Sequence, residues 1–384
     1  MISRRALMQS LAAFGAAPAF AQTTAGTKKT LVVVFLRGGV DGLAMVPPVG
    51  DAAYAGLRPT LKLTTPLKLD GRFGLHPAMS ALMPLFSSKQ LAIVHATGLP
   101  NSPRSHFEAQ DILESGSAGH RAPDGWLNRA GRELGGAAFS MVAVQNGLPS
   151  SMQGESSALA FPSLKDFRIG GGDVAATTFE SLYAQAVDDA LRTSGHDAFD
   201  SISKVRHEGL AERSPQNGAV WPKSVLARRL QDISRLIHAD VGLHIAATEL
   251  GGFDTHLAQG AETGQFANKV KELAEALAAF ATDLGPRLSD VTLLTMTEFG
   301  RTARENGTRG TDHGTASASL VLGGGVVGGR VLADWPGLNQ LHEGRDLRVT
   351  TDLRSVMSEC LDSVRIRRAD VFPDFTPSKV GLFG

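Results

Sequence analysis

Residues 30–39 read TLVVVFLRGG, an unbroken apolar run rich in valine that stops at Arg37-Gly38-Gly39. A strand with one wet face alternates apolar and polar residues. A run with no polar face is buried on both sides, the pattern of a strand inside a mostly parallel sheet covered by helices. Five further stretches share the character: LAIVHA (91–96), FSMVAVQ (139–145), GLHIAAT (242–248), DVTLLTMT (290–297) and SASLVLGG (317–324). Apolar residues at helical spacing place helices near 76–87, 105–115, 177–192, 222–238, 261–284 and 351–364. The alternation predicts an α/β sandwich with its sites at the strands' carboxyl ends. One domain over 30–384 accounts for it, with 146–220, rich in Ser, Gly and polar residues, as an insertion over one sheet edge.

The chain of 384 residues is long enough for a large core. Residues 1–21 have a basic start, a short alanine-rich apolar stretch and an Ala19-Phe20-Ala21 end, which reads as a removable leader; 22–29 is a linker. Ser3-Arg4-Arg5 fits the twin-arginine export pattern, which predicts a periplasmic or otherwise exported protein, folded before export, with no membrane span once the leader is gone. Without Arg4 and Arg5 the balance is 36 basic against 38 acidic groups, which argues against nucleic acid or an anionic membrane as the main partner. Cys360 is the sole cysteine, so no intrachain disulfide forms; its place among apolar residues at helical spacing makes it a core thiol.

Just past the predicted strands lie Asp41 in RGGVDG, Ser105 and His106 in NSPRSHFEAQD, Asp254 and His256 in GGFDTH, and Glu298 and Arg301 in TEFGRT; Asp312-His313 precedes the last strand. Carboxylates and imidazoles delivered to one edge form an oxygen-and-nitrogen donor set, suited to zinc, manganese or magnesium rather than to metals that want thiolates. Asp41, Asp254, His256, Glu298, Asp312 and His313 are the expected ligands of a divalent metal ion; Ser105, His106 and Arg301 are the expected catalytic groups. Ser105 reads two ways. With Glu108 it forms the S-x-x-E of a capping box, and it also stands where a nucleophile at a helix start would. His76 reads as fixing a loop, and His120, His196, His207, His238, His244 and His342 as structural. The GGGVVGG at 323–329 lacks the context of a dinucleotide site and reads as a turn.

The leader together with LRGGVDGL, FGLHPAM, SPRSHFEAQD, GWLNRA, GGFDTH, TEFGRTARENGTRGTDHGTA and GGRVLADWPGL resembles an exported bacterial family, domain of unknown function 1501, over almost the whole mature chain. That family looks like a distant branch of the alkaline phosphatase and sulfatase superfamily, and the resemblance implies its fold. It implies also that Asp41 matches the first-strand metal ligand, Ser105 the nucleophile, Asp254 and His256 an Asp/His pair, and His313 the last histidine. The second acidic–His pair departs from pattern, because Phe299 follows Glu298, and the Cys-x-Pro-x-Arg of sulfatases is missing. The expected activity is metal-dependent hydrolysis of an anionic phosphate or sulfate ester. The alternative is a non-catalytic exported binding protein that keeps the fold and a partial metal site.

Overall fold

The computed structural model describes residues 29–117, 120–134, 139–167, 209–367 and 370–384. The opening run forms β1 (Thr30–Arg37). After it come a small antiparallel pair, β2 (Leu67–Lys68) and β3 (Gly74–Leu75), then β4 (Leu91–Gly98), β5 (Met141–Val144), β6 (Leu159–Phe161), β7 (Ile245–Gly251), β8 (Val291–Met296), β9 (Ser317–Gly323), β10 (Arg330–Leu332) and β11 (Thr351–Asp352). The described helices are α1 (Gly42–Met45), α2 (Tyr54–Leu57), α3 (Met83–Ser87), α4 (His106–Ser115), α5 (Trp126–Ala130), α6 (Val225–His238), α7 (Gln265–Leu284) and α8 (Leu353–Ser363).

The main sheet runs β10-β4-β9-β8-β1-β7-β5-β6, with β11 also paired to β4. Every pairing in it is parallel except those of β9, which runs against both β4 and β8. This is the mixed, mostly parallel sheet between helices that the apolar runs predict. Strand alternation sorts β1 into two cores. Leu31, Val33 and Phe35 pack with Ile112, Leu113, Trp126, Val356 and Met357 of α4, α5 and α8; Val32, Val34 and Leu36 pack with residues of α6 and α7 such as Leu230, Ile233, Val270 and Leu277. Burying a side chain of this kind stabilises by roughly 1.5–3 kcal/mol against exposure, so a polar substitution at Val33 or Val34 would strike the sheet's centre.

The differences from expectation are local. Pro77 and Pro84 split the helix expected at 76–87 into a 3₁₀ turn, Pro77–Leu82, followed by α3. The insertion at 146–220 does more than lie over an edge, because its β6 extends the sheet beside β5 and its Leu210 enters the core. The helix expected at 177–192, like the leader and most of the linker, lies outside the described residues. β6, β10 and β11 are two- or three-residue pieces, too short to leave a periodic signal. Cys360 is buried in α8, where burial pushes its thiol pKa up. GGGVVGG is the turn from β9 to β10. Among the described residues no helix is long and apolar enough to cross a membrane.

Candidate metal centre

Parallel strands send the loops that follow them to one edge of the sheet. The reversed β9 sends there the loop that precedes it. The chain after β1, β4, β7 and β8 therefore meets the chain before β9. Gly38 allows one of these approaches: its φ is +116°, a Cβ on it would stand 2.6 Å from the backbone nitrogen of Asp254, and its N–H donates to Glu298 Oε1 at 2.9 Å.

Asp254 is the meeting point. Its Oδ1 accepts from Arg301 Nη2 at 2.8 Å and lies 2.9 Å from His256 Nε2 and 3.3 Å from His313 Nε2, while Oδ2 lies 3.4 Å from His106 Nε2. His106, Asp254 and His313 offer ligand atoms all within 4.8 Å of one another. His256 joins them through Asp254 and through His313, whose Nε2 is 3.0 Å from its own.

Each ring is held from behind. His106 Nδ1 is 2.8 Å from Glu298 Oε1, His256 Nδ1 is 2.9 Å from Asp312 Oδ1, and His313 Nδ1 is 2.7 Å from the Arg104 carbonyl. A carboxylate or a carbonyl only accepts, so each Nδ1 is placed to donate, and each Nε2 faces Asp254. With the Nδ1 atoms protonated, the Nε2 atoms of His256 and His313, 3.0 Å apart, would both be free to ligate one cation. Zinc bonds of 2.0–2.1 Å to imidazole place neighbouring ligand nitrogens about 3.3 Å apart, close to the spacing found. The buried His106 Nε2 also lacks a hydrogen-bond partner, since its approach to Asp254 is long and misaligned. The donor set thus fits a metal ion.

Burial opposes ionisation of Asp254 but the Arg301 guanidinium outweighs it and holds the carboxyl below its usual range. Glu298, by contrast, is buried, and hydrogen bonds from His106, Gln110 and the Gly38 N–H keep its pKa low. The His106 pKa is raised, chiefly by the hydrogen bond to Glu298; that of His313 is lowered by burial. The His256 hydrogen bond lowers Asp312. Phe299, which follows Glu298, is buried and packs its ring 4.8 Å from His106 and 4.9 Å from His313.

The expected site residues therefore separate. His106, expected to be catalytic, turns its Nε2 into the ligand cluster with Asp254, His256 and His313. Glu298 and Asp312, expected to ligate, orient rings from behind. Arg301 is buried with Nη2 on Asp254, and its Nε and Nη1 have no hydrogen-bond partner. Ser105 is the exposed N-cap of α4, yet its side chain makes no capping hydrogen bond. Asp41 stands apart from the cluster. Both its oxygens are taken by Arg58, at 2.6 and 3.0 Å, with Gln259 and the Ala44 N–H completing the set. Gln110, missed in the sequence, was findable: it lies one helical turn after His106 and donates to the same Glu298 oxygen at 2.9 Å. Arg58 gave no signal. His76 does fix a loop, taking the Ala78 N–H on Nδ1 with Nε2 2.9 Å from the Ala261 carbonyl. His95, buried in β4, is held neutral by burial, with a pKa of about 4.

The family described as "Protein of unknown function (DUF1501)" matches residues 28–364. The chain belongs to that family. No curated protein matches the sequence significantly. Similar solved structures include the C-terminal periplasmic domain of EcEptC from Escherichia coli in complex with Zn, at 8% identity and a TM-score of 0.41, covering 92% of this chain and 89% of that one. PsFucS1 sulfatase from Pseudoalteromonas sp. is 11% identical with a TM-score of 0.44, covering 93% of this chain and 74% of that one. Alkaline phosphatase from the Antarctic bacterium TAB5 is 11% identical with a TM-score of 0.38, covering 89% and 99%. Likenesses this distant carry nothing about the activity or substrate of the DUF1501 chain.

Proposed function

We propose that this DUF1501 chain is an exported metal-dependent hydrolase of phosphate or sulfate esters. The observation that carries the reading is the set of three imidazoles whose Nδ1 atoms are each engaged by an acceptor while their Nε2 atoms face one carboxylate. Histidine ligands oriented from behind in this way are the mark of a metal centre. His106, Asp254, His256 and His313 would hold the ion. Three nitrogens and one oxygen favour zinc over manganese, and both over magnesium. A divalent ion there supplies Lewis-acid polarisation of an ester oxygen.

The chain's own residues supply the rest. Arg301, wholly buried and paired through Nη2 with Asp254, sets a positive charge behind the ligand cluster, which suits an anionic ester. Ser105, next to His106 and free of capping duty, suits nucleophilic attack. Phe299 packs against the rings of His106 and His313 and helps to fix their place. The second reading, a binding protein without catalysis, draws support from one observation: the first-strand carboxylate is neutralised by an arginine.

The test is turnover of aryl phosphate and aryl sulfate esters by the purified mature chain with zinc, manganese or magnesium, beside its Asp254→Asn variant. Metal-dependent turnover lost in the variant supports the hydrolase. Metal bound without turnover favours the binding protein, and a chain that binds no divalent metal overturns both. Export by the twin-arginine route is tested by changing Arg4 and Arg5 to Lys; precursor retained in the cytoplasm supports it, and unimpaired export rejects it.

A further inference from the structure

Asp41 follows β1 and lies wholly buried. A buried carboxylate needs a cation, and here the chain provides one. Arg58, also fully buried, gives Nη1 to Asp41 Oδ2 at 2.6 Å and Nη2 to Oδ1 at 3.0 Å, while its Nε and Nη2 also donate to the carbonyls of Ala303 and Thr302 at 2.7 and 2.8 Å. Gln259 Nε2 donates to Oδ2 at 2.6 Å, and the Ala44 N–H reaches Oδ1 at 3.2 Å. Four donors thus surround two oxygens, so binding a divalent ion would require breaking the bidentate pair inside the protein, where an unpaired guanidinium is costly.

We propose that Arg58 is a resident cation which bars metal from Asp41, so that the chain binds one divalent ion, on the histidine cluster. This rests on the reading of His106, Asp254, His256 and His313 as a metal centre. The pair then has a second task. Arg58 ties the loop after β1 to the backbone at 302–303.

The experiment counts zinc per chain and measures zinc affinity by chelator competition on the full mature protein. Four proteins are compared: wild type, Asp41→Asn, the double variant Asp41→Asn with Arg58→Met, and Asp254→Asn. The expected result is one equivalent in the first three, with affinities within about twofold of one another because no ligand has changed, and loss of the equivalent in Asp254→Asn. Two equivalents in the wild type, or loss of an equivalent or about tenfold weaker binding in Asp41→Asn, would overturn the proposal. If no protein binds zinc, the hydrolase reading falls by itself. The Arg58 claim is then decided by melting: Arg58→Met alone must lower the melting temperature and the double variant must regain at least part of the loss, and a double variant no better than the single sinks it.

Discussion

His106 is held at one nitrogen by a buried carboxylate and presents the other to Asp254, and the pH and metal behaviour of the site follow from that asymmetry. Glu298 accepts from His106, Gln110 and Gly38 on one oxygen and from Thr297 on the other. Glu298→Gln removes the charge and leaves a single acceptor oxygen for these donors. Chelator competition should show metal affinity about 10- to 100-fold weaker, the usual effect of losing a partner behind a ligating histidine. An unchanged affinity would mean that His106 is not a ligand. Ser105 is the other informative residue. A serine that caps a helix contributes about 1 kcal/mol, but this hydroxyl makes no cap bond, so Ser105→Ala should change stability by less than about 0.5 kcal/mol in denaturant unfolding while abolishing ester turnover. Full turnover in Ser105→Ala would remove it as the nucleophile.

The loop between β8 and β9 does for the site what no single residue can. It carries Glu298 at one end and His313 at the other, folds back so that Arg301 and His313 pair as a bridge, and is stitched to the His256 loop by Asn306 and Thr308 donating to the His256 carbonyl at 3.0 and 2.6 Å. Gly310 sits against the same place, where a Cβ would stand 2.3 Å from the His256 carbonyl carbon and oxygen. Gly310→Ala should therefore push the two loops apart and weaken metal binding, read by the same competition assay, with a smaller effect on the melting temperature of the metal-free chain. This element also shows what a sequence can and cannot disclose. Runs such as TLVVVFLRGG are legible because burial on both faces leaves no polar residue in them, and the strand-end rule brought His106, Asp254, His256 and His313 to one edge. The direction of β9 leaves no mark on its composition, although its reversal is what carries His313 to that edge. Which carboxylate faces the cluster and which stands behind it is likewise hidden, because tertiary contact alone sets Glu298 and Asp312 on ring Nδ1 atoms and Asp254 on Nε2 atoms. Asp41 met Arg58, seventeen positions on in a loop, through tertiary contact alone.

Across the whole molecule, the buried Asp41–Arg58 pair fastens the end of β1 to the 302–303 backbone, so its charge state matters to global stability. Burial alone would raise the Asp41 pKa, but Arg58, Gln259 and the Ala44 N–H together outweigh it and hold the carboxyl below its usual range. A carboxylate with a depressed folded pKa adds stability that is fully present above its unfolded value of about 3.9 and is lost as pH falls through the folded value. Acid unfolding below about pH 4 should accordingly be shallower in the Asp41→Asn, Arg58→Met double variant than in the wild type, whereas Arg58→Met alone, leaving a buried charge unpaired, should cost about 3–5 kcal/mol at neutral pH in denaturant unfolding. Identical acid profiles would show that the pair does not govern this window. The account stands most directly on the place of the metal. Anomalous-difference density at the zinc edge, from crystals of the mature chain loaded with zinc, should show a peak within bonding distance of the Nε2 atoms of His106, His256 and His313 and of an Asp254 oxygen. A zinc-loaded crystal with no peak there, or with its zinc on Asp41, would contradict it.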